Sequence, residues 1–286
     1  MEVFTEYVRS GQAPLDEGSK SVPTLTVIFP AFNEEQNIAA TVESACETLP
    51  QLALQWEIII VNDGSWDSTS KVCDQLVNAH PHVRVIHHSR NRGYGAALKS
   101  GVSAARHELI FFTDSDGQFT VTELPKFIEY AKQFDIVTGY RAKRNDPPHR
   151  IVNALGWNLL VRIVLGIHIR DIDCAYKLFR RAVFERIQIR SIGAMVNTEI
   201  MAQAMKFGMR LKEVEVSHFP RRFGRPTGAN IKVIFKAFRE LFKLWWKLKL
   251  IDPDQEGIFV RPVIAPANIP SSDRRADRGG LKLLSE

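Results

Sequence analysis

Asp114 and Asp116 say most about chemistry, because an apolar run, Leu109 to Phe112, ends abruptly in two carboxylates one residue apart. The run reads as a buried strand, which puts the aspartates at its carboxyl end, the edge where open α/β sheets collect ligands. Alternation along an extended chain points both side chains the same way. Two hard oxygen ligands so placed suit Mg²⁺ or Mn²⁺, which would bridge to a diphosphate and neutralise charge on a leaving nucleotide. The competing reading is a solubilising strand end or a turn. Asp171-Ile-Asp173 and Asp252-Pro-Asp254 repeat the spacing, but neither follows a strand of this kind.

Three other strand ends carry candidate residues. After Val27-Ile28-Phe29-Pro30, a ligand over the turn would meet Phe32 and Glu34; the alternative is a strand terminator followed by acidic residues at a helix start. In Val61-Asn62-Asp63-Gly64-Ser65, Asp63 could accept hydrogen bonds from a nucleobase N–H, or serve only the turn. In Arg92-Gly93-Tyr94-Gly95, the glycines could admit a phosphate beside a helix amino terminus. Leu98 stands where a dinucleotide fingerprint wants glycine, and the segment follows the third strand, so a dehydrogenase is a weak reading. His87 and His88 fall on opposite faces of a strand and read as surface or packing residues.

The elements that must position these residues alternate. Leu25 to Phe32, Trp56 to Val61, Val83 to His87, Leu109 to Thr113 and Ile136 to Tyr140 read as strands. Glu34 to Thr48, Ser68 to Ala79, Gly95 to Arg106 and Thr122 to Lys132 read as the crossover helices, giving an α/β fold with a mostly parallel, Rossmann-like sheet flanked by helices. Asp67-Ser68-Thr69 and Thr120 to Glu123 offer helix caps. A basic loop, Arg141 to Arg150, then leads into an apolar helical segment, Ile151 to Ile167.

With 286 residues, 45% hydrophobic and 24% charged, the chain has material for one large domain. Three scattered cysteines indicate neither a disulfide framework nor a zinc cluster, and favour a reducing compartment. No stretch approaches the roughly 20 apolar residues of a spanning helix. Residues 1–21 read as a polar leader without a signal-peptide core, 22–230 as the α/β domain, 231–251 as an amphipathic helix and 252–286 as a flexible tail.

In the penultimate segment Ile231, Ile234, Phe235, Phe238, Leu241, Phe242, Trp245 and Leu248 recur at helical spacing opposite Lys232, Lys236, Arg239, Lys243 and Lys247. Such a helix can lie in a membrane interface with its cations on anionic headgroups, or pack on the protein's own core. Nucleic acid explains the net charge of +6 less well, because no binding module accompanies it.

Taken together, Pro30-Ala31-Phe32-Asn33-Glu34, Ile58 to Ser65, Arg92 to Gly101 and Asp114-Ser115-Asp116 resemble the nucleotide-binding half of family 2 glycosyltransferases of the GT-A fold. Over residues 22–230 the resemblance is closest to polyprenol-phosphate transferases of the dolichol-phosphate mannosyltransferase type. It implies an inverting, metal-dependent transfer of a hexose from a nucleotide sugar, of the GDP-mannose or UDP-glucose type, to a polyprenyl or dolichyl phosphate. It assigns the metal to Asp114, Asp116 and Gln118, and the donor to Pro30, Phe32, Glu34, Asp63, Asp114, Ser115 and Arg141. Arg150, Arg221 and Arg222 fall to the acceptor phosphate, and Asp116, Asp171 and Arg150 to catalysis. Glu199 also matches a family position. Cys174-Ala175 replaces a Ser-Gly pair and Ala154 replaces a serine, which puts the acceptor in question more than the donor. The implied partners are the membrane surface, through residues 231–249, and a membrane-anchoring subunit. The implied place is cytoplasmic, peripheral on the cytosolic face of a membrane. An acceptor without phosphate, another lipid or a glycan, would need a base, for which Asp171 or Asp173 is the candidate. A non-catalytic nucleotide-binding scaffold is the remaining alternative.

Overall fold

The computed structural model describes residues 24–143, 148–221, 223 and 231–250, with the side chains of 148–150 and 231–237 outside the description. Residues 1–21 and 252–286, Arg222 and the Arg150 side chain therefore lie outside the described residues.

Strands β1 (Thr24–Ala31), β2 (Gln55–Asn62) and β3 (Val83–His87) alternate with helices α1 (Ile38–Thr48), α2 (Thr69–Ala79) and α3 (Tyr94–Ala104). Then follow β4 (Leu109–Phe112), α4 (Leu124–Ala131), β5 (Ile136–Arg141), α5 (Pro148–Leu165), β6 (Lys177–Arg180), α6 (Arg181–Arg186), α7 (Val196–Lys206), β7 (Leu211–Val216) and α8 (Ile231–Leu250). The sheet order is β3-β2-β1-β4-β6-β5-β7. Every pairing is parallel except those of β6, which runs antiparallel to β4 and to β5.

The strands are apolar along their length because both sheet faces are covered. Leu25, Val27 and Phe29 of β1, Ile58 and Ile60 of β2 and Phe111 of β4 enter one core with Ile38, Val42, Cys73, Leu76 and Phe127 of the helices. The alternate residues Ile28, Ile59, Val61, Ile110 and Phe112 enter a second core with Leu98, Val161, Ile200, Leu241 and Leu244. Period-two alternation thus sorts one run of sequence between two helix layers.

The chain leaves β1 towards β2 and β3, then returns to the other side of β1 to form β4. The strand order reverses between β1 and β4, and in open α/β sheets that switch point opens a ligand crevice at the carboxyl ends of the strands. Glu34 follows β1 there and Asp114 follows β4.

The second half departs from expectation. β6 and β7 were not anticipated, and Leu241 and Leu244 of α8 are buried in the second core.

Candidate active site

The turn after β1 is built by exchange with the turn after β2. Asn33 takes φ 57°, a left-handed conformation that asparagine tolerates better than most residues. Its N–H donates to Ser65 Oγ at 2.9 Å, its Oδ1 accepts from the Trp66 N–H at 3.1 Å, and the Glu34 N–H donates to Thr69 Oγ1 at 2.9 Å. These bonds fix Glu34 beside the end of β4.

Ser115 is buried and donates to the Pro30 carbonyl at 2.8 Å. Ser115 and Pro30 therefore bond each other within the sheet edge, which locks the path of the Asp114-Ser115-Asp116 segment. Asp116 Oδ1 accepts from the Gln118 N–H at 3.0 Å. Its Oδ2 accepts from Arg221 Nη1 at 3.3 Å, and Arg221 Nη2 bonds Glu34 Oε1. Arg221, which the resemblance assigns to the acceptor phosphate, here bridges two donor-side carboxylates. The Tyr94 hydroxyl, shielded from solvent, lies against Asp114; nothing in the sequence singled it out beyond its place at the start of α3.

Burial, and next the Asp116 charge, push the Asp114 carboxyl up to about 7, against the pull of Tyr94 and Arg141. Burial likewise raises Glu34, with Asn37 and Arg221 opposing. Asp114 and Asp116 offer hard oxygen donors of the kind Mg²⁺ or Mn²⁺ takes, and such an ion completes its shell with waters and substrate phosphates. These two could hold such an ion. Among the described residues no group of three or more His, Cys, Asp or Glu side chains is placed to hold a metal ion. The Gln118 side chain is turned to a different partner, its Nε2 donating to the Phe219 carbonyl at 3.3 Å while the Phe219 N–H donates to the Gln118 carbonyl at 2.9 Å.

Asp63 is occupied by its own loop. Oδ1 accepts from the Arg92 N–H at 3.0 Å and meets His88 Nδ1 at 2.6 Å, and Oδ2 accepts from the Gly93 N–H at 2.7 Å. A nucleobase would have to share these oxygens. At the third loop the Gly95 N–H, at the amino terminus of α3, donates to the Ile192 carbonyl at 2.9 Å. Gly93 has φ 101°, and a Cβ there would stand 2.3 Å from that carbonyl; one on Gly95 would stand 2.1 Å from the Ser191 carbonyl. The glycines admit a neighbouring backbone segment, with which a phosphate would have to share the helix terminus. Glu199 holds that segment, accepting from the Arg190 and Ser191 N–H groups at 2.9 and 2.7 Å.

At the end of β5, Arg141 forms a two-pronged ion pair with Asp171, Nε to Oδ2 at 2.6 Å and Nη2 to Oδ1 at 2.8 Å. Phe32 is half-buried at the mouth of the β1 turn. The structure thus gathers Phe32, Glu34, Asp114, Asp116 and Arg221 at the switch point, with Asp63 behind the third loop and Arg141 with Asp171 alongside.

The amphipathic face of α8 is divided in two. Leu241 and Leu244 are buried and Leu248 packs against the second core, so part of the expected membrane face is spent inside the protein. Phe238, Phe242, Trp246 and Leu250 remain exposed, Trp246 at 62%. Arg239, Lys243 and Lys247 lie exposed beside them. α5 carries a second exposed row, Val152, Leu155, Leu159 and Ile163, and the Trp157 ring of α5 meets Phe238 edge-on at 6.4 Å. Among the described residues no helix is long and apolar enough to cross a membrane.

A mostly parallel sheet with paired carboxylates at its switch point is the architecture of a GT-A glycosyltransferase. The Glycosyl transferase family 2 profile matches residues 26–188, more than half of the chain, and the protein belongs to that family. It is 27% identical over 220 residues to an undecaprenyl-phosphate 4-deoxy-4-formamido-L-arabinose transferase of Pectobacterium carotovorum, covering 74% of this chain and 65% of that one. It is 34% identical over 174 residues to a dolichyl-phosphate beta-glucosyltransferase of Trichomonas vaginalis, covering 54% and 51%. To a polyprenol monophosphomannose synthase of Mycolicibacterium smegmatis it is 29% identical over 227 residues, covering 74% and 84%. The chain thus spans less than two thirds of the length of the first two. The fold matches glucosyl-3-phosphoglycerate synthase from Mycobacterium tuberculosis, solved with Mn²⁺ and UDP-glucose, at a TM-score of 0.60 and 18% identity, over 80% of each chain.

Proposed function

We propose that this glycosyltransferase moves a hexose from a nucleotide sugar to a polyprenyl phosphate, with inversion, at the cytosolic face of a membrane. The observation that carries this reading is the pairing of two carboxylates, Asp114 and the buried Asp116, at the carboxyl end of β4 beside Glu34. The relatives whose names specify a polyprenyl or dolichyl phosphate supply the acceptor class.

Asp114 and Asp116, with Gln118 after its side chain turns, would hold Mg²⁺ or Mn²⁺, which neutralises the diphosphate that departs with the nucleotide. Phe32 and Glu34 border the nucleoside. Arg141 and Arg221 carry the positive charge nearest the carboxylates, and Arg150, in the first turn of α5, and Arg222 are assigned to the acceptor phosphate from sequence alone. An acceptor phosphate oxygen is already anionic near neutral pH. It attacks the anomeric carbon as the bond to the diphosphate breaks, so catalysis rests on positioning and charge stabilisation and needs no general base. Asp171, locked to Arg141, is free of that duty.

The exposed rows of α5 and α8, with Arg239, Lys243 and Lys247 between apolar side chains, suit the headgroup region of an anionic bilayer or a membrane-anchoring subunit. A panel of nucleotide sugars against polyprenyl phosphates tests the function, scored as labelled sugar in the lipid extract with and without Mg²⁺ or Mn²⁺. Transfer to a dephosphorylated polyprenol as readily as to the phosphate would overturn it.

A further inference from the structure

Both oxygens of Asp116 are already engaged, and a guanidinium stands on the side a metal ion would approach. Oδ1 accepts the Gln118 N–H at 3.0 Å and Oδ2 accepts Arg221 Nη1 at 3.3 Å. The same guanidinium holds Glu34 Oε1 through Nη2, while Glu34 Oε2 accepts from Asn37 at 2.7 Å. Both carboxylates are more than nine-tenths buried, at 8% and 7% exposure, so one fixed positive charge sits where two carboxylates would otherwise repel each other. A guanidinium has no lone pair to offer a metal and adds repulsion to an arriving dication.

We infer that Arg221 is a cation surrogate that holds the metal position closed and is exchanged for the ion when the donor binds. This rests on the reading of Asp116 as a metal ligand. The exchange is electrostatically favourable once both substrates of the site arrive together. The dication takes over Asp116, and the released guanidinium meets the negative diphosphate that comes with it, where Arg forms strong paired hydrogen bonds. The backbone before Arg221 is anchored. Two residues earlier, Phe219 is tied to Gln118 in both directions, and Ser217 is tied to Glu123, its N–H at 3.0 Å and its Oγ at 2.7 Å. Those bonds form a fixed root, and the exchange has to break the bond from Arg221 Nε to the Phe223 carbonyl at 2.7 Å as well. Glu123, expected as a capping-box residue, is thereby given a different task. With the metal alone, the exchange lacks the diphosphate's compensation and Arg221 competes with the ion.

The test is binding of Mn²⁺ alone, followed by the spin resonance of free Mn²⁺ and by calorimetry, in the wild-type protein and in Arg221→Ala, Arg221→Lys and Asp116→Ala. Removing the competing ion pair should tighten Mn²⁺ binding roughly tenfold in Arg221→Ala. An ammonium reaches one carboxylate at a time, so Arg221→Lys should fall between, and it carries the test if the alanine variant does not fold. Adding UDP should tighten Mn²⁺ binding in the wild type more than in Arg221→Ala, because only the wild type regains the released guanidinium. If Asp116→Ala loses Mn²⁺ while both Arg221 variants bind it no more tightly than the wild type, the surrogate role is wrong and the metal site stands. If Asp116→Ala binds Mn²⁺ unchanged, the metal reading falls and the surrogate role falls with it.

Discussion

Asp171 gives both of its carboxylate oxygens to Arg141, at 2.6 and 2.8 Å, and the Arg141 N–H approaches Oδ2 at 3.3 Å as well. The two side chains are 8% and 11% exposed. The paired bonds clamp the end of β5 to the loop that precedes β6. The place of Asp171 among the candidate bases follows from sequence type, and the structure adds this clamp to it.

Asp171→Asn is therefore expected to lower stability, by about 3–5 kcal/mol if the guanidinium is left without a counterion. The pH profile of kcat/KM in the surviving folded fraction should keep its shape. Loss of the acidic limb of that profile in the variant, with stability unchanged, would restore Asp171 as a base.

Asp116→Ala should reduce transfer at least about 100-fold while the thermal transition moves little, since Arg221 keeps Glu34 as its counterion and, among the described residues, the side chain otherwise bonds the Gln118 N–H. Transfer of labelled hexose into lipid and a melting curve on the same sample decide it. A folded variant with ordinary, metal-stimulated turnover would show that the carboxylate is not in the reaction.

Much of the first half of the sheet is legible in the sequence because its signals are local. β1, β2 and β4 are apolar runs closed by turn residues, and their ends carry the carboxylates. β6 escapes such a reading because the strand is four residues long and opens on Lys177, yet that lysine is fully buried, its Nζ donating to the Ile172 and Cys174 carbonyls. β7 escapes because an edge strand alternates Lys212, Glu213 and Glu215 with its apolar residues. The placement of Arg221 on Glu34 has no local signature at all, since 187 residues separate them. The third-loop glycines are visible, but their partner, the Ile192 carbonyl, is as distant in sequence as any ligand would be.

Gly93→Ala should destabilise the protein by about 1–3 kcal/mol, because the residue sits at φ 101° and the new methyl would press on the Ile192 carbonyl. Chemical denaturation measures the loss. An alanine variant as stable as the wild type would mean that the loop can retreat from the 190–193 segment, which would leave the α3 terminus open to a phosphate.

Glu57 sets an acid limit on the fold. Burial alone would raise its carboxyl, but hydrogen bonds from Arg84, the Arg106 N–H and Thr26 outweigh it and hold the group below its ordinary value of 4.5. Because the folded value is the lower one, this stabilisation is fully present above about 4.5 and disappears as the pH falls through the folded value. Glu57→Gln should therefore melt well below the wild type at pH 7, and the gap should narrow as the pH falls below 4.5. A gap independent of pH would assign the loss to packing alone.

Reversing Arg239, Lys243 and Lys247 to glutamate should weaken partition onto anionic liposomes by about 100-fold or more, each surface cation contributing about 1 kcal/mol. Raised salt should act in the same direction. Leu155→Ser with Leu159→Ser on α5 should weaken it at any salt, since those side chains act by insertion. Cosedimentation of all variants equal to the wild type would leave the two helices to a protein partner.

The reversed direction of β6 has a consequence for how this enzyme can diversify. Because β6 enters the sheet from the edge at which its neighbours leave, the loop before it, carrying Asp171 to Tyr176, arrives at the same rim as the loops after β1, β4 and β5. The rim is therefore furnished from two stretches of sequence that travel in opposite senses. One of them can be lengthened or rewritten without shifting the register of the other, so one side of the rim can drift in sequence while the opposite side keeps its form.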